Sequence, residues 1–241
     1  MLNDGLTQTT HGTDGSDKGA LARDILSALT RSGIARTLDG HPLLETLERW
    51  VVEGDAPGTE QMQALIRDVD RQGPQRMLIR DAFIERFGFA IPHPEAILEI
   101  AAIGPLVEVA AGSGALAAAL AHAGADIVAS DGALTHVYEA PFTVGRWFPV
   151  DAPADAAETI AAHPDRTVVL SWPDGDDWPV RALDAMTPGQ RLVHIGEEEG
   201  GCCGGWLFHE TLARDFVEER ILDSFRFAGL HDGASVYRKT A

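Results

Sequence analysis

Lysine is nearly missing from this chain of 241 residues. Only Lys18 and Lys239 occur, and 19 bases in all stand against 37 acids. The formal net charge of -18 repels phosphate backbones, so neither DNA nor RNA is expected as a partner. Cysteine is scarce too. Cys202 and Cys203 are the only two and lie side by side, which excludes a disulfide framework. A vicinal disulfide is strained, so reduced thiols in a cytoplasmic protein are expected. Adjacent thiols also lack the spacing of a zinc clamp, and the nine histidines are scattered, so no metal site is predicted. Long apolar runs are missing as well. The most apolar region, 96–125, is broken by Glu99, Glu108 and glycines, which leaves no membrane span. The first residues show neither a basic nor an apolar signal segment, so no secretory leader is expected.

What is present is ordinary globular material: 45% hydrophobic and 23% charged residues, enough to bury a core. Residues 1–18 are polar and aperiodic and read as a disordered leader. Residues 19–93 carry helical spacing. Leu21, Ile25, Leu26 and Leu29 form one stripe, and Leu44, Leu47, Trp50 and Val51 a second. A third helix follows a Thr59 cap, and a fourth places Met77, Leu78, Phe83 and Ile84 inward before Gly88. This helical module reads equally as a lid over another domain and as a homodimer interface.

From 94 to 241 the pattern changes. A helix with Pro94 in its first turn is followed by alternating strands and helices: "LVEVA", a helix over 114–122, "ADIVASD", "RWFPVD", a helix over 154–162, "RTVVLSW", a helix near 179–186, "QRLVHIG" and a helix near 206–214. Such alternation predicts a mostly parallel sheet with helices on both faces. The last segment, "ERILDSFRFAGLHDGASVYRK", reads as an antiparallel hairpin turning at Asp232-Gly233. The expected fold is α/β: a Rossmann-like, mostly parallel seven-stranded sheet with a C-terminal antiparallel hairpin, plus the N-terminal helical module.

The chemistry concentrates in "VEVAAGSGALA". A glycine-rich turn between strand and helix offers backbone N–H groups to a ligand and lets it come close. Gly112, Gly114 and Ala117 satisfy G-x-G-x-x-G/A, and Asp131 closes the next strand, where a carboxylate can accept ribose hydroxyls. Two features count against a dinucleotide. Glu108 sits inside the strand before the loop, where that fold places an apolar residue, and the terminal hairpin breaks an all-parallel sheet.

"VEVAAGSG" followed by "ADIVASD" resembles the first two motifs of class I S-adenosylmethionine-dependent methyltransferases, over about residues 88–239. "FAIPHPEAI", "RTVVLSWPD" and "HIGEEEGGC" are similar to a little-characterised branch of that superfamily. The resemblance implies S-adenosylmethionine as cofactor. Gly112 and Gly114 would line its methionine part, with Glu108 ordering the amino end, Asp131 taking the ribose and Asp151 near the adenine. Ala110 stands where the family's first glycine is expected. Ser171 would face the cofactor at the end of strand four, where "SWPD" lacks the family's second proline.

Acceptor-side candidates sit at the carboxyl ends of strands: Tyr138 and His136, Ser171 and Trp172, and Glu197, whose competing reading is a solvated loop carboxylate. The activity so implied is methyl transfer to a small molecule bearing an amine or hydroxyl. Its rivals are cyclisation of the cofactor with release of methylthioadenosine, a non-catalytic cofactor-binding protein and, weakest, a nicotinamide-dependent oxidoreductase. Cys202 has no partner base. A glycine-rich turn packed by small thiols is the better reading of that loop.

Overall fold

The computed structural model describes residue 38 and residues 40–132, 143–175 and 177–240. The chain divides into two compact units, Met1–Asp39 and Gly40–Ala241. The leader and the first expected helix lie outside the described residues, as do His136 and Tyr138.

Helix α1 (Pro42–Glu53) starts where His41 Nδ1 accepts the Leu43 N–H, and stops at Gly54, whose φ of 76° turns the chain back onto Trp50 O. It buries Leu44, Leu47, Trp50 and Val51 as the spacing predicts; each such side chain contributes roughly 1.5–3 kcal/mol. α2 (Thr59–Arg71) is capped by Gly58 and not by Thr59. The Thr59 hydroxyl is drawn away to Glu95, a partner distant in sequence that local spacing does not reveal. α3 (Gln75–Phe87) buries Ile79, Phe83 and Phe87 on one stripe. Phe83 and Ile84 are buried as expected, whereas Met77 is 49% exposed and Ile79 takes the inward place in the first turns. α4 (Pro94–Ala101) does begin at its proline.

The alternating half follows as β1 (Leu106–Val109), α5 (Ala115–His122), β2 (Ile127–Ser130), α6 (Ala156–Ala162), β3 (Thr167–Ser171), α7 (Asp177–Ala185), β4 (Arg191–Glu197), α8 (Trp206–Asp215), β5 (Phe216–Leu222) and β6 (Asp232–Lys239). The sheet order is β2-β1-β3-β4-β6-β5. The first four strands are parallel, and β6 runs antiparallel between β4 and β5. This is the Rossmann-like sheet with its terminal antiparallel pair, and its direction of winding reverses at β1, where such sheets place their ligands.

Two expectations need correction. Among the described residues the sheet has six strands, not seven. "RWFPVD" contributes one bridge, Asp151 beside Ser130. Pro153 has no N–H for the next ladder position, so Ala154 N donates to Asp131 O instead. The hairpin does not turn at Asp232-Gly233 either, because both residues already belong to β6. Residues 223–231 make the connection. Phe225 and Phe227 leave the sheet there to pack under the helices: Phe225 bridges to Ile91, and Phe227 meets the Phe83 ring edge-on at 5.4 Å.

Side chains alternate across β1. Val107 and Val109 join Val168, Leu170, Leu192 and Phe208 in the core on one face. Glu108 therefore points to the other face, toward α5.

Candidate functional site

β1 runs into the glycine loop through Ala110, which holds φ 56°. That left-handed conformation costs a residue with a Cβ roughly 1–2 kcal/mol and explains why glycine is expected there. Gly112 (φ 54°) and Gly114 (φ 76°) continue the turn, and Gly114 caps α5. Two carboxylates converge on this loop, and both side chains belong to residues only 2% exposed. Asp131 Oδ2 accepts the Gly112 N–H at 2.9 Å. Glu108 takes the Ala117 N–H from the first turn of α5, yet its Oε2 has no hydrogen-bond partner. Burial, and then the negative charge of Asp131, push the Glu108 carboxyl up to about 8. A buried anionic oxygen without a donor is costly, so below about pH 8 the ligand-free protein holds Glu108 mostly protonated; a cationic donor at Oε2 would favour its ionised form.

A strap crosses the loop. Gly145 N donates to Gly112 O and Trp147 N to Ser113 O, at 3.0 and 2.9 Å. A Cβ on Gly114 would lie 3.0 Å from the backbone N and O of Phe148, so the glycine is required by this approach of the chain itself. Ser113 Oγ donates to Phe87 O at 2.7 Å, and the Trp147 indole to Arg86 O. The Trp147 ring also stacks on Phe87. Loop, strap and the end of α3 are thereby joined.

Glu108, Ala110, Gly112, Gly114, Asp131 and Asp151 are brought together. Asp131 N donates to Asp151 O, and the Asp151 side of the bridge is exposed. Ser171, half-buried, follows the Val109–Leu170 pair and so ends its strand beside Ala110. Trp172 adopts φ 50° and stacks on Phe89 at 5.3 Å.

Glu197 stands apart from this group, beside Asp232 across β4 and β6. It is not a solvated loop carboxylate, being 4% exposed. Its two oxygens accept the Cys202 and His231 N–H groups at 2.8 and 2.9 Å, which hold it below the usual carboxylate range. It pins the glycine-cysteine loop to the 223–231 connection. Cys203 packs inside that loop, where a Cβ on Gly196 would come within 2.8 Å of its sulfur. Burial pushes the Cys203 thiol up to about 12; Cys202 is exposed, so the turn expected to be packed by both thiols is packed by Cys203 alone.

One residue escaped sequence reasoning. Asp232, read as a turn residue, is 3% exposed, has an unpartnered Oδ1 and is pushed up to about 6, chiefly by burial. It lines a small cavity with His93 and Phe225. The available signal was the alternation of "DGASVY", which starts a strand at Asp232.

No family model matches the chain, and no curated protein matches it. Solved structures do. The N-methyltransferase NodS from Bradyrhizobium japonicum is 13% identical, with 61% of this chain and 94% of that chain covered and a TM-score of 0.39. The mitomycin 7-O-methyltransferase MmcR is 18% identical over 73% of this chain and 60% of that chain, with a TM-score of 0.38. An rRNA methylase from Streptococcus thermophilus is 16% identical over 63% and 99%, with a TM-score of 0.39. Their acceptors differ from one another, and at these identities none carries over. The chemistry of the site has to decide.

No helix among the described residues is long and apolar enough to cross a membrane. Among them, no group of three or more His, Cys, Asp or Glu residues is placed to hold a metal ion.

Proposed function

We propose that this protein binds S-adenosylmethionine at the glycine loop and transfers its methyl group to a small molecule. The observation that carries the reading is the pair of buried carboxylates at the loop, with Glu108 Oε2 lacking a donor. A pyrophosphate placed there would face the negative charge of Asp131 and keep Glu108 neutral; like charges 4 Å apart repel by about 4 kcal/mol even at an effective dielectric of 20. A ligand with an ammonium and a sulfonium gains from the Asp131 charge, and its cationic groups favour ionisation of Glu108.

The residues then divide the work. The backbone of Ala110, Gly112 and Gly114 lines the methionine chain, and Glu108 takes its ammonium. Asp131 accepts from the ribose hydroxyls and Asp151 lies on the adenine side. Ser171 borders the methionine chain and the acceptor, with Trp172 toward the acceptor; Glu197, both of whose oxygens are held by the Cys202 and His231 N–H groups, takes no part in the chemistry. When bound, the cofactor supplies an activated methyl on an excellent leaving group, so positioning and exclusion of water are the main demands on the protein. Helices α1–α4, tied to the loop through Ser113 and Trp147, serve as the cover.

A specific observation favours the cyclising rival. A carboxyl displaced to about 8 can take the proton from the cofactor's ammonium, and ring closure needs that amine neutral. Chromatography of protein incubated with S-adenosylmethionine alone separates the two readings. Methyl transfer predicts no turnover alone and adenosylhomocysteine once a small-molecule extract is added. Catalytic accumulation of methylthioadenosine without any acceptor would overturn it.

A further inference from the structure

Trp172 holds a backbone conformation that a bulky side chain rarely adopts. Its φ of 50° lies in the left-handed region, and such strain persists only where the surroundings over-determine it. Three separate segments do so. The Trp172 N–H donates to Ile195 O on β4 at 2.7 Å. The ring stacks on Phe89, ahead of α4, with centroids 5.3 Å apart and planes 18° from parallel. The third hold comes from β6, where the indole N–H is engaged with the Asp232 carboxylate and favours its charged form. That contact falls short of a full hydrogen bond, since neither Trp172 Nε1 nor Asp232 Oδ1 completes one.

Strand register explains how the first residue of β6 meets the end of β3. Ser171 pairs with Ile195, and Ile195 with Ala234. Glu197 and Asp232 pair two positions further on. Paired residues, and residues two apart on one strand, share a face of the sheet. Asp232 therefore projects on the face of Ser171, level with the point where the chain leaves β3 at Trp172. Glu108 shares that face through its pair, Val169. Asp232 is 3% exposed, and an acid in such a place is costly. An apolar residue of similar size would fill it without that cost.

Resting on the reading of Trp172 as an acceptor-side residue, we propose that Asp232 is a positioning residue: it fixes the Trp172 ring at the carboxyl end of β3 and so sets the wall against which the methyl acceptor lies. It acts through the ring and not on the reacting atoms. The groups around it are Glu197 on β4, Arg80 on α3 and Arg226 in the 223–231 connection, with Cys202 and Cys203 in the glycine-cysteine loop. His231 stands 3.8 Å from Glu197 Oε1, and His93 and Asp223 line the same small cavity as Asp232. Arginine does not titrate in proteins. Both thiols are pushed up, and Glu197 is held down by its N–H partners. Asp232 is itself pushed up to about 6, chiefly by burial. A response of the ring near that pH belongs to Asp232 or to a neighbouring histidine, and Asp232→Asn separates the two.

The test labels the whole protein with 5-fluorotryptophan and follows the Trp172 fluorine resonance by NMR, assigned by its loss in Trp172→Phe. In the wild type this signal should move with pH about a midpoint of about 6. In Asp232→Asn, whose amide oxygen still accepts from the indole, it should stay sharp and cease to move. In Asp232→Ala it should shift and broaden at every pH. Adenosylhomocysteine should bind the wild type and both Asp232 variants equally by calorimetry. With adenosylmethionine and a small-molecule extract, Asp232→Ala should need about fivefold more extract for half-maximal formation of adenosylhomocysteine. Asp232→Asn should restore most of that. A Trp172 signal indifferent to Asp232→Ala, a pH response that survives Asp232→Asn, or equal extract requirements in Asp232→Ala and wild type would each overturn the positioning role. If Asp232→Ala fails to fold, the wild-type pH response and its loss in Asp232→Asn decide. No cofactor binding or turnover by the wild type itself would instead sink the methyl-transfer reading, while the fluorine spectra still decide whether Asp232 holds the ring.

Discussion

Replacing Glu108 by glutamine keeps the shape of the side chain and removes its charge. The Glu108 carboxyl stands at about 8 in the fold against 4.5 when exposed. Each pH unit of that displacement is worth about 1.4 kcal/mol. Because the folded value is raised, the favourable contribution is complete below 4.5 and is lost as pH climbs through 8. Above pH 8 an ionised Glu108 therefore destabilises the ligand-free protein by on the order of 5 kcal/mol, an upper bound that water reaching the site would reduce. Glu108→Gln should equal or slightly exceed the wild type at pH 5.5 and exceed it by several kcal/mol at pH 8.5. Urea unfolding at both values measures the gap. Saturating adenosylmethionine should close it from the wild-type side only, because its ammonium pairs with the ionised carboxylate. A difference between variant and wild type that stays flat from pH 5.5 to 8.5 would refute the burial argument. A variant that binds adenosylhomocysteine as well as the wild type would refute the role assigned to the carboxylate.

Asp131→Asn retains an oxygen for the Gly112 N–H but loses the charge. Adenosylhomocysteine should bind about tenfold more weakly by calorimetry, and the pH dependence tied to Glu108 should move to lower pH, since Asp131 is one of its causes. Gly114→Ala meets both a left-handed φ of 76° and the Phe148 backbone at 3.0 Å. It should lose about 2 kcal/mol or more of stability in chemical denaturation; an undisturbed midpoint would mean that the strap yields freely.

The alternating half was readable because parallel strands buried on both faces and their intervening helices leave local periodic signals. The loop was readable for the same reason, its glycines lying between a strand and a helix. What stayed hidden depends on contacts between residues far apart in the chain. Thr59 looked like a cap until Glu95 took its hydroxyl. Trp147 gave no hint that it would stack on Phe87, 60 positions earlier, and so hold the strap. Asp232-Gly233 carried a genuine turn signal, which was overridden because Phe225 and Phe227 were needed beneath the helices. Glu197 looked solvated because the two N–H groups that bury it come from its own loop and from His231.

The bond from Ser113 to Phe87 O has an electrostatic consequence for the whole site. It sets the carboxyl end of α3 against the amino end of α5, so the two helices meet with opposite ends of their peptide dipoles. The partial positive charge at the start of α5 is the feature by which glycine-rich loops hold phosphate. Here it is already answered from inside the protein, by the last carbonyls of α3 and by the Glu108 oxygen on the Ala117 N–H. The loop keeps the outline of an anion cradle, but the N–H groups that would hold the anion are already engaged from within, Gly112 N by Asp131 and Ala117 N by Glu108.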